Sequence, residues 1–405
     1  MKLLIITQKV DKNDSVLGFF HGWIREFSRK FEKITVICLE KGEVDLPENV
    51  KVFSLGKEAA RRAASQKFLK PPQLNKRRFN GVNPSEIQDK FHGVNKVIKR
   101  IIYILKFYKY IWREKKNYEI VFAHMNQEYV LFGGLLWKIL GKKIFLWRNH
   151  PKGSFLTRVA VWFSNKVFYT SPFSYTARFK KGMMMPVGVN CESKVKSLSQ
   201  LNKNQFNGTG KVYKGESLKI LYLGRVAPVK NIEVIIEAMK ILKEKGIKFQ
   251  LSVVGDALEK DEEYYDELKL KVKSLKLEKE IKFLPGVPNK ETLKVYAGYD
   301  IFINATETGS MDKTIFEAIF AGLPVITSNK ALRDFFGAKY ADLLLFKEGD
   351  ADDLSFKIEK IREFFCDFEG EKMVLELRKK VEEEQSLEKL SERLFKIFKE
   401  EENNA

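Results

Sequence analysis

The chain has 405 residues, of which 44% are hydrophobic, so it can bury the cores of two ordinary domains and is not a disordered protein. No apolar run approaches the ~18–20 residues that span a bilayer, and no signal-peptide cleavage site follows the short apolar start. The cysteines Cys38, Cys191 and Cys366 have neither metal-ligand nor disulfide spacing, so a reducing, cytoplasmic location is expected.

The net charge of +20 is unevenly distributed along the chain. Residues 1–210 hold 39 Lys and Arg against 15 Asp and Glu, a formal charge of +24, whereas the remainder holds 34 against 38, or −4. No acidic residue lies between Glu128 and Glu192. This asymmetry indicates an anionic partner for the first half, and nucleic acid, an acidic membrane surface and a phosphorylated lipid substrate all fit it.

In chain order, the first half alternates predicted strands with predicted helices, which is typical of a parallel sheet with right-handed crossovers. Gly18 opens the first helix without the G-x-G-x-x-G spacing of a dinucleotide fold. A glycine here lets backbone N–H groups approach a phosphate, and a simple turn glycine is the alternative. The predicted strands are residues 2–7, 33–39, 50–55, 118–123, 143–147 and 166–170.

Between the third and fourth strands the sequence predicts a long basic insertion at 57–92 and a helix at 94–113. A basic amphipathic helix of this kind can lie on an anionic membrane. Alternatively, its apolar face packs on the sheet of its own domain. That apolar face consists of Ile98, Ile101, Ile102, Leu105, Tyr108 and Trp112.

Polar side chains follow two strands of this half. His124 ends the strand 118–123, and Arg148, Asn149 and His150 end the strand 143–147. Ligands of open α/β sheets bind beyond the carboxyl ends of strands, so these residues are candidates for contacts with a substrate. For the second group we expect hydroxyl or phosphate groups of an acceptor. Loop capping and loop packing are the alternatives.

The second half opens with LYLGRVAPVKN at 221–231, a buried strand followed by Gly224-Arg225, a turn and the start of a helix at Lys230. The two cations lie in the crevice beyond the strand, where a planar guanidinium and an ammonium suit an anionic diphosphate. Solvated loop cations are the alternative. Further strands are predicted at 248–254, 281–284, 299–304, 324–327 and 343–346.

The segments LSVVGD, FLPGV, YDIFINA and IFEAIFAGLPVIT follow in that order, and the set resembles the donor-binding domain of family 4 glycosyltransferases. The resemblance implies retaining enzymes with the α/β GT-B fold, in which two Rossmann-like domains face a central cleft. We expect an acceptor-binding domain at 1–190, a linker at 191–217 and a donor-binding domain at 218–385. A C-terminal helix at about 386–405 is expected to pack back on the first domain.

The resemblance also implies roles for particular residues. His124 would contact the donor sugar or the reacting centre, and Arg225 and Lys230 would stabilise the departing diphosphate, with Gly18 and the backbone amides at the start of the helix around Glu317 nearby. The first glutamate of the family's E-x(7)-E motif is replaced by Gly309. The remaining candidates for donor binding are Val287 in the base-binding loop, Lys313, Thr314 and Ile315 at the helix start, Glu317 for the ribose hydroxyls, and Asp312 or Glu307 for the sugar hydroxyls.

No metal or cofactor is expected. Asp350-Ala351-Asp352 has the D-x-D pattern of metal-dependent glycosyltransferases, but a helix-like segment follows and predicts N-terminal capping instead.

The predicted function is retaining transfer of a sugar from a UDP- or GDP-linked donor to an acceptor at the cytoplasmic face. The acceptor is a glycan or a lipid-linked saccharide in cell-surface polysaccharide synthesis, with peripheral contact to the inner face of the plasma membrane. A nucleotide-sugar epimerase or hydrolase is the alternative on the same fold. A nucleic-acid-binding protein is the alternative from another class, although no nucleic-acid readout module is recognised and no nucleic-acid partner is expected.

Overall fold

The computed structural model describes residues 1–57, 84–191, 217–309, 311–365 and 368–403, with the backbone alone described for 84–97 and 368. Within these ranges the protein is an α/β structure built on two parallel sheets. The α/β fold class that the sequence predicts is thereby confirmed.

The first sheet has seven parallel strands in the order β3-β2-β1-β4-β5-β6-β7. Leu3 to Ile6 of the central strand are fully buried, because helices cover both faces of the sheet. The strands are β1 (Lys2–Val10), β2 (Lys33–Lys41), β3 (Val50–Ser54), β4 (Ile120–His124), β5 (Lys143–Trp147), β6 (Lys166–Tyr169) and β7 (Gly182–Met184).

Two layers of helices cover this sheet. One face packs against α1 (Gly18–Ser28) and the C-terminal helix α12 (Leu387–Asn403), with Phe398 against three strand phenylalanines. The opposite face packs against α2 (Pro84–Arg113), α3 (Gln127–Ile139) and α4 (Phe155–Phe163).

The second sheet has five parallel strands in the order β10-β9-β8-β11-β12. One hydrophobic core joins this sheet to its helices. The strands are β8 (Leu218–Leu223), β9 (Phe249–Val254), β10 (Ile281–Leu284), β11 (Ile301–Asn304) and β12 (Val325–Thr327), and the helices are α5 (Ile232–Glu244), α6 (Glu262–Ser274), α7 (Thr292–Tyr296), α8 (Lys313–Phe320), α9 (Arg333–Leu344), α10 (Ala351–Phe364) and α11 (Phe368–Glu384).

The segment that ends the first domain lies beside the segment in which the chain comes back from the second domain. Backbone N–H groups of Gly188 and Val189 donate to the carbonyl of Gln385, and the N–H of Leu387 donates to Val189 at 2.7 Å. The indole of Trp23 fixes the same segment by donating to the Gly188 carbonyl at 3.2 Å. Two adjacent chain segments therefore connect the α1 face of the first domain to the second.

Two predictions of secondary structure are wrong. Residues 343–346 do not form a strand, because α9 continues to Leu344 and only Leu345 bridges to Thr327. The irregular segment predicted at 57–92 ends earlier, since α2 already begins at Pro84. Residues 58–83 of that insertion, and 192–216 of the predicted linker, lie outside the described residues.

Candidate active site

A cavity of about 370 Å³ lies between the two domains, at the carboxyl ends of the central strands of both sheets. The first domain contributes the loop before α1 and the ends of β4 and β5, and the second contributes the end of β8 and the start of α8. This is where parallel sheets place ligands, because the loops after their strands meet at one edge.

Arg225 follows β8 and lines the cavity. The Tyr222 hydroxyl donates to its carbonyl at 2.8 Å and holds the turn. The neighbouring loop packs so tightly that a Cβ on Gly255 would lie 1.8 Å from the Gly224 carbonyl oxygen. The Arg225 Nε is buried without a hydrogen-bond partner among the described residues. Because a buried donor left without a partner is costly, this guanidinium is suited to an anionic ligand.

Lys230 also lines the cavity, but it is already paired within the protein. Its Nζ lies 2.5 Å from Asp312 Oδ2 and 3.3 Å from Thr306 Oγ1. The turn that presents it ends at Asn231, whose left-handed backbone is fixed by a side-chain bond to the Ala305 carbonyl at 3.2 Å. The ammonium of Lys230 therefore faces the cavity as part of an ion pair.

Asp312 is the centre of a polar cluster on the second domain. Its Oδ2 accepts hydrogen bonds from Asn304 at 3.0 Å and from Thr306 at 2.7 Å, besides the contact with Lys230. Burial alone would raise the pKa of this carboxyl, but the ammonium and these hydrogen bonds outweigh burial and hold the pKa below its ordinary value. Asp312 is therefore ionised at neutral pH and lines the cavity as an anion.

Lys313 begins α8 and reaches across the cleft to the first domain. Its Nζ lies 4.6 Å from the ring centroid of Phe19 and 5.8 Å from that of Trp23. Burial lowers the pKa of Lys313 to about 8, against the attraction of Glu317. Together with Thr314, which also lines the cavity, it puts the positive end of a helix at the site. Ile315 is buried and outside the cavity lining, and its backbone N–H donates to the Asp312 carbonyl at 3.2 Å, so the structure does not bring it to the site.

Glu317 lies one turn further along α8 and also lines the cavity. Its Oε1 accepts from the Asn289 side chain at 3.0 Å, and the Tyr296 hydroxyl donates to Oε2 at 3.4 Å. These two bonds orient the carboxylate, which has further lone pairs with which to accept from a ligand hydroxyl.

The first domain faces these charged groups with a neutral wall. His124 is buried, stacks on Phe20 with ring centroids 3.9 Å apart, and places Nδ1 3.3 Å from Thr7 Oγ1. Burial, together with repulsion from Lys313, lowers the pKa of His124 to about 3. The imidazole is therefore neutral at physiological pH, so it can contact a ligand by hydrogen bonding but not by charge.

The other candidates for donor binding differ in how close they lie to the cavity. Val287 lines a small adjoining cavity that shares Arg225 with the main one. Gly18 lies buried directly behind the loop 15–17 that lines the main cavity, and is not itself part of the lining. Glu307 is exposed and outside the lining, so the structure does not bring it to the site.

Of the three acceptor candidates after β5, one lines the cavity and two do not. Asn149 lines the cavity, and its Oδ1 accepts from the backbone of Thr170 at 2.9 Å. Arg148 turns away and donates to the carbonyls of His150 and Lys152, while His150 is exposed. Neither Arg148 nor His150 belongs to the lining, so the contacts predicted for them have no support here.

Sequence reasoning missed several residues of the site. Phe19 and Trp23 belong to the first helix of the chain, and nothing in their spacing predicts that Lys313 contacts them. Asn304 could have been found, because it ends an apolar parallel strand just as His124 does.

The N-terminal capping predicted for this acidic segment is confirmed, and the structure shows that Asp350 is the cap: its carboxylate accepts from the backbone N–H of Asp353 at 2.8 Å at the start of α10. Over the ranges with described side chains, no group of His, Cys, Asp and Glu is placed to hold a metal ion.

Comparison with known proteins shows what the second domain is similar to. Residues 209–364 match the model of the family "Glycosyl transferases group 1". A curated relative, mannosylfructose-phosphate synthase of Agrobacterium fabrum, is 28% identical over 166 residues. That alignment covers 40% of this chain and 35% of the relative, so the chain matches about a third of that relative's length.

Solved structures match nearly the whole chain. Anabaena HepE in complex with UDP and glucose superposes with a TM-score of 0.68 at 15% identity, over 98% of this chain and 99% of HepE. Sucrose-phosphate synthase from Thermosynechococcus elongatus gives 0.70 at 13% identity over all of both chains. WaaG, a glycosyltransferase of lipopolysaccharide biosynthesis, gives 0.60 at 14% identity over 98% of this chain and 99% of WaaG. The architecture is that of GT-B glycosyltransferases.

Proposed function

We propose that this chain, whose second domain is a group 1 glycosyltransferase domain in a GT-B architecture, transfers a sugar from a nucleoside diphosphate to an acceptor. One observation carries the proposal. Arg225, the Lys230–Asp312 pair, Lys313 and the start of α8 converge on one interdomain cavity. A diphosphate is the ligand that such a set of cations and helix amides fits best.

In the transfer, the bond between the anomeric carbon and the diphosphate oxygen breaks, and a bond to the acceptor oxygen forms. Negative charge develops on the departing diphosphate, and Arg225, Lys313 and the α8 amides stabilise it. The acceptor proton ends on the departing phosphate. A base with a pKa near 3 takes a proton poorly at neutral pH, so His124 orients a sugar hydroxyl instead.

The finer features of the proposal are a UDP- or GDP-linked donor, retention at the anomeric carbon, turnover without divalent metal, and an acceptor that is a glycan or a lipid-linked saccharide at the cytoplasmic face. UDP is supported by HepE, which was solved with UDP. Retention is supported by the resemblance to family 4 enzymes. The N-terminal domain supplies the face that receives the acceptor, with Asn149 in the cavity wall.

The first test is a thermal-shift screen of the full chain against UDP, GDP and their sugars, because a ligand that binds only the folded state raises the apparent Tm. We expect UDP or GDP to raise Tm by several degrees, in a concentration-dependent manner. No shift with any nucleoside diphosphate would refute the proposal.

The second test follows consumption of the donor that binds. Turnover that requires an acceptor supports transfer, whereas equal turnover without acceptor identifies an epimerase or hydrolase. The anomeric configuration of the product, read by NMR, tests retention. Complete and reversible loss of turnover in EDTA would contradict metal independence.

A further inference from the structure

Large apolar side chains are exposed on the outer surface of the helix layer α2–α4 in the first domain. They form what we call the apolar face: Ile98, Ile101, Ile102, Leu105 and Trp112 of α2, Phe132, Leu135 and Ile139 of α3, and Phe155, Leu156 and Trp162 of α4. The three helices cover the same side of the sheet and are packed together. The Tyr108 hydroxyl donates to the Phe132 carbonyl at 2.7 Å, and a Cβ on Gly134 would lie 2.7 Å from the ring of Phe163.

The core of the domain does not account for this face. Helix α2 packs on the sheet through Phe107 and Ile111, which are buried. The apolar stripe of α2, whose sequence fits either the sheet or a membrane, points away from the sheet, with Leu105 64% exposed. The alternative in which this stripe packs on its own sheet is therefore wrong. Single exposed apolar residues are ordinary, but a set that continues across three helices marks an interaction surface.

Basic residues accompany the apolar face. Lys99, Arg100, Lys109, Lys138 and Arg158 are exposed on the same three helices. The sequence contains no acidic residue between Glu128 and Glu192, and the stretch 58–83 adds seven Lys and Arg against one Glu. Apolar side chains surrounded by cations on one surface are complementary to the boundary of an anionic bilayer.

We propose that the apolar face docks this chain on the surface of an anionic lipid bilayer. The apolar side chains enter the boundary between headgroups and acyl chains, and the surrounding Lys and Arg contact lipid phosphates. Docking is peripheral, because no helix in the described parts of the chain is long and apolar enough to cross a bilayer.

The face lies next to the strand ends that line the cavity. Helix α4, with Phe155 and Leu156 in its first turn, begins six residues after Asn149, and α3 begins three residues after His124. A membrane on this face therefore lies beside the acceptor side of the cleft. This link to a lipid-borne acceptor rests on the proposed function, whereas the docking itself does not.

The experiment is flotation of the full chain with two kinds of vesicle, neutral phosphatidylcholine and a mixture with anionic phosphatidylglycerol. We expect binding to the anionic vesicles, weaker binding at high salt, and little binding to the neutral vesicles. The double variant Leu105→Glu/Ile139→Glu should bind the anionic vesicles at least about tenfold more weakly, because two carboxylates would have to enter the boundary.

The matched control is Leu270→Glu/Leu375→Glu, at sites in the second domain that are 67% and 62% exposed. It should bind vesicles like the unmodified chain. Both double variants should keep the Tm and the nucleoside diphosphate uptake of the unmodified chain. Because uptake is measured without vesicles, failure of docking and failure of the proposed function are distinguishable.

Tryptophan fluorescence provides a second readout. Trp112 and Trp162 belong to the apolar face, while Trp23, Trp137 and Trp147 are buried. Anionic vesicles should shift the emission to the blue, and brominated lipid should quench it. The variant Trp112→Phe/Trp162→Phe should lose both effects while still binding vesicles.

Three outcomes would overturn the proposal. The first is equal binding to neutral and anionic vesicles, and the second is unchanged vesicle binding by Leu105→Glu/Ile139→Glu. The third is concentration-dependent self-association that this variant abolishes, which would make a second copy the occupant.

Discussion

The two walls of the cleft differ in charge. The wall supplied by the basic half of the chain is neutral, and the wall supplied by the acidic half carries the charged groups. The first domain belongs to the half of the chain that carries +24, yet none of its described residues that line the cavity is Lys, Arg, Asp or Glu. The net acidic second half supplies every charged group of the described lining: Arg225, Lys230, Asp312, Lys313 and Glu317.

The comparison teaches that the net charge of a region does not locate its anion site. Cations that bind a diphosphate must be few, oriented and partly desolvated, as Arg225 and Lys313 are. Exposed Lys and Arg of the first half that the structure describes, such as those on the helices of the apolar face, lie outside the cavity lining, and we propose that they act on a larger anionic partner. Four substitutions test this division.

The largest effect is expected for Arg225→Met, because the guanidinium is the cleft cation whose Nε has no partner in the described structure. We expect kcat/KM to fall by about 10²–10³-fold with a nucleotide-sugar donor. Arg225→Lys should recover part of the loss, since it restores the charge without the donor fork. The control Arg333→Met, at an exposed site in the same domain, should match the unmodified chain. A loss below threefold for Arg225→Met would remove Arg225 from the site.

The second largest effect is expected for Asp312→Asn, because this substitution leaves the partly buried ammonium of Lys230 without its counter-charge. We expect the free energy of unfolding at pH 7 to drop by roughly 2–3 kcal/mol, measured by urea titration. Because the pKa of Asp312 is lowered in the fold, its contribution is complete above pH ~4 and is lost as the pH falls further.

The matched control for this effect is Asp342→Asn, which breaks the exposed Arg333–Asp342 pair and should cost less than about 0.5 kcal/mol. Equal losses for the two variants would show that Lys230 and Asp312 do not form a strong pair.

A smaller effect is expected for Lys313, which is charged below its pKa of about 8 and neutral above it. The value of kcat/KM should therefore decline as the pH rises through about 8, and Lys313→Arg should move that decline to higher pH. Lys313→Met should lower kcat/KM about tenfold at pH 7. The same variant should raise the free energy of unfolding at pH 7 by about 1 kcal/mol, since a buried ammonium disfavours the fold. A decline near pH 8 that persists in Lys313→Arg would assign it to another group.

The smallest effect is expected for Glu307→Ala, because this side chain is exposed and outside the cavity lining. Donor KM and kcat should stay within about twofold of those of the unmodified chain. A tenfold rise in donor KM would instead place Glu307 in the sugar site and would show that the loop 305–309 moves on binding.

Much of the molecule follows from local pattern. Apolar runs ended by glycine or by polar residues located nearly all the strands, and the rule for strand ends found His124, Asn149 and Arg225. The pattern of apolar runs gave a wrong prediction at residues 343–346, because that apolar run is divided between the end of α9 and an extended residue. Four apolar residues do not by themselves distinguish these states.

Thus the sequence by itself determined two parallel α/β domains and the cations at the end of β8, because strand period and turn residues are local properties. The tertiary structure alone decided that Lys230 pairs with Asp312, that Lys313 lies over Phe19, and that the stripe on α2 faces outward. Each of these depends on which element lies across a cleft or on which side of a helix the sheet packs. Such contacts join residues that are distant in sequence, so the periodicity of the sequence does not predict them.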